Sequence, residues 1–215
     1  LLVLSPAAMD AVLASGDNAP DPFIKKRALS RFVPDALVIS GNREAGDRRA
    51  FNTRALDLGH LHRHSAAFAT VAVAEAARLV ADRRSTLRWE DFESLAQRIS
   101  HQVILGIGEG EPALAAQLAR MVAASNALVR DAPSFAAFYE RIAELLTRKS
   151  SAPPACLMHD AAASLADGSA VDATKVPAQV GFWFFVLKDA IELHVARTLA
   201  LLAAHPEIQV RVREE

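Results

Sequence analysis

The stretch from about Ala178 to Ala204 constrains this chain more than any other. It reads as one uninterrupted helix of roughly 40 Å, long enough to cross a whole domain. Val180-Gly-Phe-Trp-Phe-Phe-Val-Leu187 is apolar on every face, which predicts burial all round. A membrane span is the rival reading, and it fails because Lys188, Asp189, Glu192 and Arg197 interrupt the run well short of ~20 apolar residues. A buried central helix with charges halfway along requires a cavity or a cofactor beside them, since an unpaired buried charge is expensive.

The rest of the chain supplies helices to pack around it. Trp89, Phe92, Leu95, Ala96, Ile99 and Val103 recur every three or four residues and form one apolar stripe, with Glu90, Asp91 and Glu93 at the positive end of the helix dipole. Phe135, Phe138, Ile142 and Leu145 repeat the pattern, closed by Arg148 and Lys149. His60 to Arg83 reads as a long Ala-rich helix whose inner face includes Leu61, Phe68, Val71 and Val80. Glu111 to Val129, Ala155 to Ala166 (ended by Gly168) and a helix starting at Pro206 complete the set. Strand signals are confined to Leu1 to Leu4 and Ala36 to Ile39, and Asp17 to Pro22 and Ser150 to Pro154 read as loops. The fold class is therefore mainly α.

Composition narrows the function. In 215 residues, 52% hydrophobic and 23% charged, there is material for one sizeable core or at most two small ones, and no sign of disorder. A net charge of −1 gives no field favouring nucleic acid or an anionic membrane. The single cysteine, Cys156, forms no internal disulfide, which suits a reducing cytoplasm. Leu1 to Leu4 is too short for a signal peptide, and Pro206 to Glu215 has no stop signal. The expectation is a fragment, or the ordered part of something longer.

Four segments carry a family resemblance. Phe184-Phe-Val-Leu-Lys-Asp-Ala-Ile-Glu192, followed by Leu199 to Glu215 with its His205-Pro-Glu-Ile-Gln209, resembles helices I and J of a cytochrome P-450. Gly41 to Asn52 looks like helix C, and Trp89-Glu-Asp-Phe92 with Val103-Ile-Leu-Gly106 is similar to helix E of bacterial members; Leu1 to Ala14 resembles the strand and helix B before them. The resemblance covers nearly all of the chain, in order and spacing, and implies that residues 1–215 are a partial cytochrome P-450 domain lacking the N-terminal sheet region and the C-terminal haem-thiolate half.

The resemblance also implies roles. Asp189 falls at the family's acidic, proton-relaying position and Ala190 at its threonine, while Val186-Leu187 replaces the usual Ala-Gly. Arg48 matches the haem-propionate arginine, with Arg49 beside it, and Glu44 stands where His or Trp is expected. Phe185, Val186 and Ala190 would border the substrate pocket. The cofactor implied is haem, its thiolate ligand lying outside this chain: Cys156 precedes helix I and does not match, and Glu75-Ala-Ala-Arg78 has the letters of the helix K motif but comes too early. The parent would be a soluble bacterial-type monooxygenase of a small or medium apolar substrate, supplied with electrons by a ferredoxin or flavoprotein. Ala190 in place of threonine leaves dioxygen, peroxide and substrate-assisted chemistry all open.

Plainer readings stand beside these. Arg48 and Arg49 also suit an exposed basic turn, Asp189 a helix ion pair, and Phe182 to Phe185 ordinary core. His60 and His64 share a face if the helix starts at His60, with His62 turned away, and no third metal ligand is evident. Gly106-Ile-Gly-Glu-Gly110 follows a helix and carries Glu109, so it is no phosphate loop. The competing class is a helical ligand-binding or interaction protein without haem.

Overall fold

The computed structural model describes residues 5–14, 26, 27, 29, 30, 32–41, 45–81, 86–107, 112–126, 135–148 and 155–214. Among them are nine α-helices and no strand. In chain order these are α1 (Pro6–Leu13), α2 (Gly46–Ala55), α3 (Ser65–Ala81), α4 (Trp89–Ser100), α5 (Pro112–Asn126), α6 (Ala136–Thr147), α7 (Leu157–Ala166), α8 (Val176–Ala204) and α9 (Pro206–Glu214). Leu1 to Leu4, Glu44, Asp17 to Pro22 and Ser150 to Pro154, all assigned from sequence, lie outside the described residues.

α8 is the axis of the fold. At 29 residues it spans about 43 Å. Its first half packs most extensively on α4 and then on α6, and also touches α7. Val176, Val180, Trp183 and Phe184 enter the main core with Leu95, Ile99 and Ile104 from α4 and its extension, and Phe138, Ile142 and Leu145 from α6. Gly181 lets α6 come close: a Cβ there would lie 3.0 Å from ring carbons of Phe138 and Tyr139. The Tyr139 hydroxyl donates to the Phe32 carbonyl, and burial pushes its pKa up.

The burial of α8 is one-ended. Val180, Gly181, Trp183 and Phe184 are buried, but Val186 is 43% exposed, and beyond Phe184 only Glu192 is buried. The all-round burial expected for Val180 to Leu187 is therefore not met: Phe182 is already half-buried, and no residue from Phe185 to Leu187 is buried. No helix among the described residues is long and apolar enough to cross a membrane.

Other elements follow the sequence pattern with local corrections. Ser5 caps α1, its Oγ accepting from the Ala8 N–H at 3.2 Å, and Pro6 occupies the first turn, where a missing N–H costs nothing. α4 begins where the Arg88 N–H donates to Asp91 Oδ2 at 2.8 Å. It widens into a π-helical turn over His101–Leu105 and ends at Gly106, whose φ of 68° suits glycine. Trp89 is 47% exposed, so the buried stripe of α4 starts one turn later than its spacing suggests. Ala36 to Ile39 is not a strand. Leu37–Ile39 is a 3-10 turn, and Ala36 and Ile39 cluster with Val33 under Phe182.

The segment read as a helix from His60 starts only at Ser65. Asp57 (φ 51°) and Gly59 (φ 102°) turn the chain ahead of it, and Leu61 at 82% and Val80 at 76% face solvent rather than the core. The inner face of α3 is Phe68, Val71, Ala72 and Leu79, with Glu75 buried between them. That carboxylate takes hydrogen bonds from Arg98 Nε (2.5 Å) and Gln102 Nε2 (2.7 Å), stitching α3 to α4. Glu75 thus pairs across helices, and not with Arg78.

Candidate functional site

α2 presents Arg48, Phe51, Asn52 and Ala55 to the interior, the i, i+3, i+4, i+7 spacing of one helical face. Arg48 Nη2 donates to Asp35 Oδ1 at 2.8 Å and Nη1 to the Ser40 hydroxyl, which in turn donates to the Ala36 carbonyl at 3.0 Å. Asp35 reaches the guanidinium from a left-handed backbone position, φ 64°. The exposed basic turn read as the plain alternative is thus corrected for Arg48, which is 7% exposed, and holds for Arg49 on the outer side of the helix. Arg48 lies at the base of an open cleft of about 620 Å³ that Lys26, Asp47 and Lys175 also line.

A second set of polar groups joins α2 to the start of α8. Gln179 is 1% exposed. Its Oε1 accepts from the Leu37 N–H (3.0 Å) and the Asn52 amide (3.1 Å), and its Nε2 donates to the carbonyls of Asp35 (2.7 Å) and Lys175 (3.2 Å). Asn52 accepts from the Trp183 indole N–H at 2.6 Å, and Phe51 stacks on Trp183 with ring centroids 6.0 Å apart. Every hydrogen-bonding atom of the Gln179 amide group is engaged, as a buried amide requires. Sequence reasoning passed over Gln179, whose one signal is a lone amide inside an apolar run.

Gln179, Trp183, Val186, Ala190 and Leu193 fall on one stripe of α8, because seven and eleven residues bring a helix back to within about 20° of its start. α2 covers the stripe at Gln179 and Trp183. Further along, it is bare: Val186 is 43% and Leu193 39% exposed, with Ala190 half-buried between them. Phe185 is half-buried and stacks on Phe182, centroids 6.5 Å apart. Asp189 stands at the edge of this stripe with a side chain 52% exposed. Partial burial pushes its pKa up, Lys188 pulls it down and Glu192 adds to the rise. Lys188 Nζ lies 2.9 Å from Glu192 and 3.8 Å from Asp189, so the buried Glu192 is paired within the helix and Asp189 is left nearer the solvent.

The histidines are arranged differently from their sequence reading. The turn ahead of α3 points His60 at Asp57, 3.4 Å away, while His62 and His64 converge on the buried Asp160 of α7 at 3.9 and 3.2 Å. His62 is therefore the partner of His64, and His60 is not. Arg63 completes the junction, bonded to Asp57 at 3.2 Å and 3.8 Å from Asp160, and it holds the Asp57 carboxyl below its usual range. His62 Nδ1 accepts the His64 N–H at 3.0 Å, which leaves the proton of the neutral ring on Nε2, the atom facing Asp160. That tautomer has no lone pair for a metal there. No group of three or more His, Cys, Asp or Glu among the described residues is arranged to hold a metal ion.

For a haem, the open stripe of α8 offers an apolar wall that a macrocycle packs against, and the chain's one cysteine does not stand on it. Cys156 caps α7, its Sγ accepting from the His159 N–H at 3.4 Å, and burial pushes the thiol up, away from the thiolate form a ligand needs. Comparison with protein-family models, curated proteins and solved structures finds no match to this chain.

Proposed function

We propose that this chain is the distal-side helical portion of a haem-thiolate monooxygenase of the cytochrome P-450 type, with the axial thiolate supplied from outside these residues. A small or medium apolar compound is its substrate, and a ferredoxin or flavoprotein its electron donor. The observation that carries the reading is the bare stripe Val186–Ala190–Leu193, which continues the face of α8 that Phe51 and Asn52 of α2 cover one turn earlier. Bound there, haem supplies the redox chemistry. Val186 and Ala190 exclude water from one side of the site, and Asp189, its carboxyl held above the ordinary range, keeps a proton at the rim to higher pH than an exposed aspartate does. An arginine already paired to Asp35 anchors a propionate only by exchanging one carboxylate for another. That feature favours the second reading, a helical ligand-binding or interaction protein without haem.

Haem titration of the natural polypeptide that carries this chain distinguishes the two. Uptake followed by the Soret band and by tryptophan quenching is expected to be saturable. Val186→Glu, which forces a carboxylate against the macrocycle, is expected to weaken it at least tenfold, since an unpaired buried charge costs well over ~1.4 kcal/mol. Val73→Glu, on the exposed side of α3, leaves uptake unchanged. Equal uptake by both variants, or none by the parent, favours the reading without haem.

A further inference from the structure

On the other side of α8 lies a groove that the haem reading does not use. Phe184 and Lys188 face it, each about 160° around the helix from Val186 and Ala190 respectively. Its volume is about 330 Å³, at the small end of the ~300–1,000 Å³ typical of small-molecule sites. The groove exists because α5 turns Ala115, Ala119 and Ala123 toward α4 on successive turns, and larger side chains would close the gap. Buried Phe184 and Leu118 form its apolar floor, while Glu93 and Gln97 of α4 form the opposite rim.

The charges select the ligand. Lys188 lines the groove already paired with Glu192 at 2.9 Å and 3.8 Å from Asp189, so among the described residues Glu93 is the lining charge that no ion pair compensates. An anion entering here meets a negative rim, and a cation meets an attractive one. Glu93 is also positioned. One turn earlier, the Trp89 indole N–H donates to its Oε1 at 3.2 Å. Trp89, 47% exposed, thereby holds the Glu93 carboxylate from the solvent side.

We propose that the groove between α4, α5 and α8 binds a small organic amine. Its ammonium pairs with Glu93 beside Trp89, and its short flat apolar body lies over Phe184 and Leu118 along the alanine wall. The site stands on its own whether or not the opposite face of α8 carries haem.

The probe is 2-phenylethylamine, titrated into the whole chain by calorimetry and tryptophan fluorescence, with 3-phenylpropionate as the comparator of opposite charge. The amine is expected to bind saturably at one site and to perturb the exposed Trp89, and the acid is not expected to bind. Glu93→Gln, which keeps the bond from Trp89, should weaken the amine about tenfold. Ala119→Leu, at an exposed and helix-favouring position, should abolish binding by filling the groove while leaving the melting temperature unchanged. Equal binding of amine and acid, undiminished binding in either variant, or no saturable binding of the amine overturns the proposal.

Discussion

Replacing Gln179 by leucine tests what holds α2 to α8. The amide serves four groups: the Leu37 N–H, the Asn52 amide and the carbonyls of Asp35 and Lys175, all at 2.7–3.2 Å. Leucine is of similar volume, so little cavity forms, but it offers none of these bonds. The Asn52 amide still donates to the Arg48 carbonyl at 2.7 Å, which leaves the Leu37 N–H and the Asp35 carbonyl as the main losses. A buried polar group left unsatisfied costs ~1–3 kcal/mol, and part-buried groups fall in the lower half of that range. The expected destabilisation is therefore about 3 kcal/mol, a drop of roughly 6–12 °C in Tm for a chain of this length. Urea unfolding is the assay, with the midpoint falling at unchanged slope. Gln179→Ala separates the terms. If filling space were the role of Gln179, leucine would be far milder than alanine; if hydrogen bonding is the role, the two are similar. A leucine variant within ~1 kcal/mol of the parent refutes the reasoning.

Two further outcomes follow from buried charge. Glu75→Ala should cost about 2–3 kcal/mol in the same assay, below the ~3–5 kcal/mol of a fully buried pair, because the orphaned Arg98 side chain is 29% exposed and can turn to water. His62 is held below its ordinary value of 6.5, first by burial, with Asp160 opposing. The unfolded chain therefore takes up this proton near pH 6.5 and the folded chain only at lower pH, so stability falls as pH drops through that window. His62→Gln should flatten the fall in Tm below about pH 6.5, and an unaltered acid limb would refute a role for His62.

Much of the helical framework was legible in the sequence. α6 lies where spacing puts it, with Phe138, Ile142 and Leu145 buried, and α7 ends where its stop signal does, with Gly168 (φ 80°) just past it. The start of α9 at Pro206 was equally plain. Periodicity works for these because one face is fully covered. It fails where coverage is partial. Leu61 and Val80 fit the period of α3, yet its alanine-rich neighbours let a short contact with α4 suffice, and the turn at Asp57 and Gly59 delays the helix. The pairing of Arg48 with Asp35 was invisible because it joins a turn to a helix across 13 residues. The junction of His62 and His64 with Asp160 spans nearly 100 residues and depends on the chain not being helical at His60. Neither long-range pairing leaves a local spacing to read.

The central claim is tested most directly by the visible spectrum of the natural polypeptide that carries this chain, purified from haem-supplemented cells, reduced and exposed to carbon monoxide. Stoichiometric haem is expected, with the long-wavelength Soret band of a thiolate-ligated ferrous carbonyl, and that band should be lost with the haem in Val186→Glu. A polypeptide that folds, shows a cooperative melt and carries no haem, or carries it without a thiolate ligand, would contradict it.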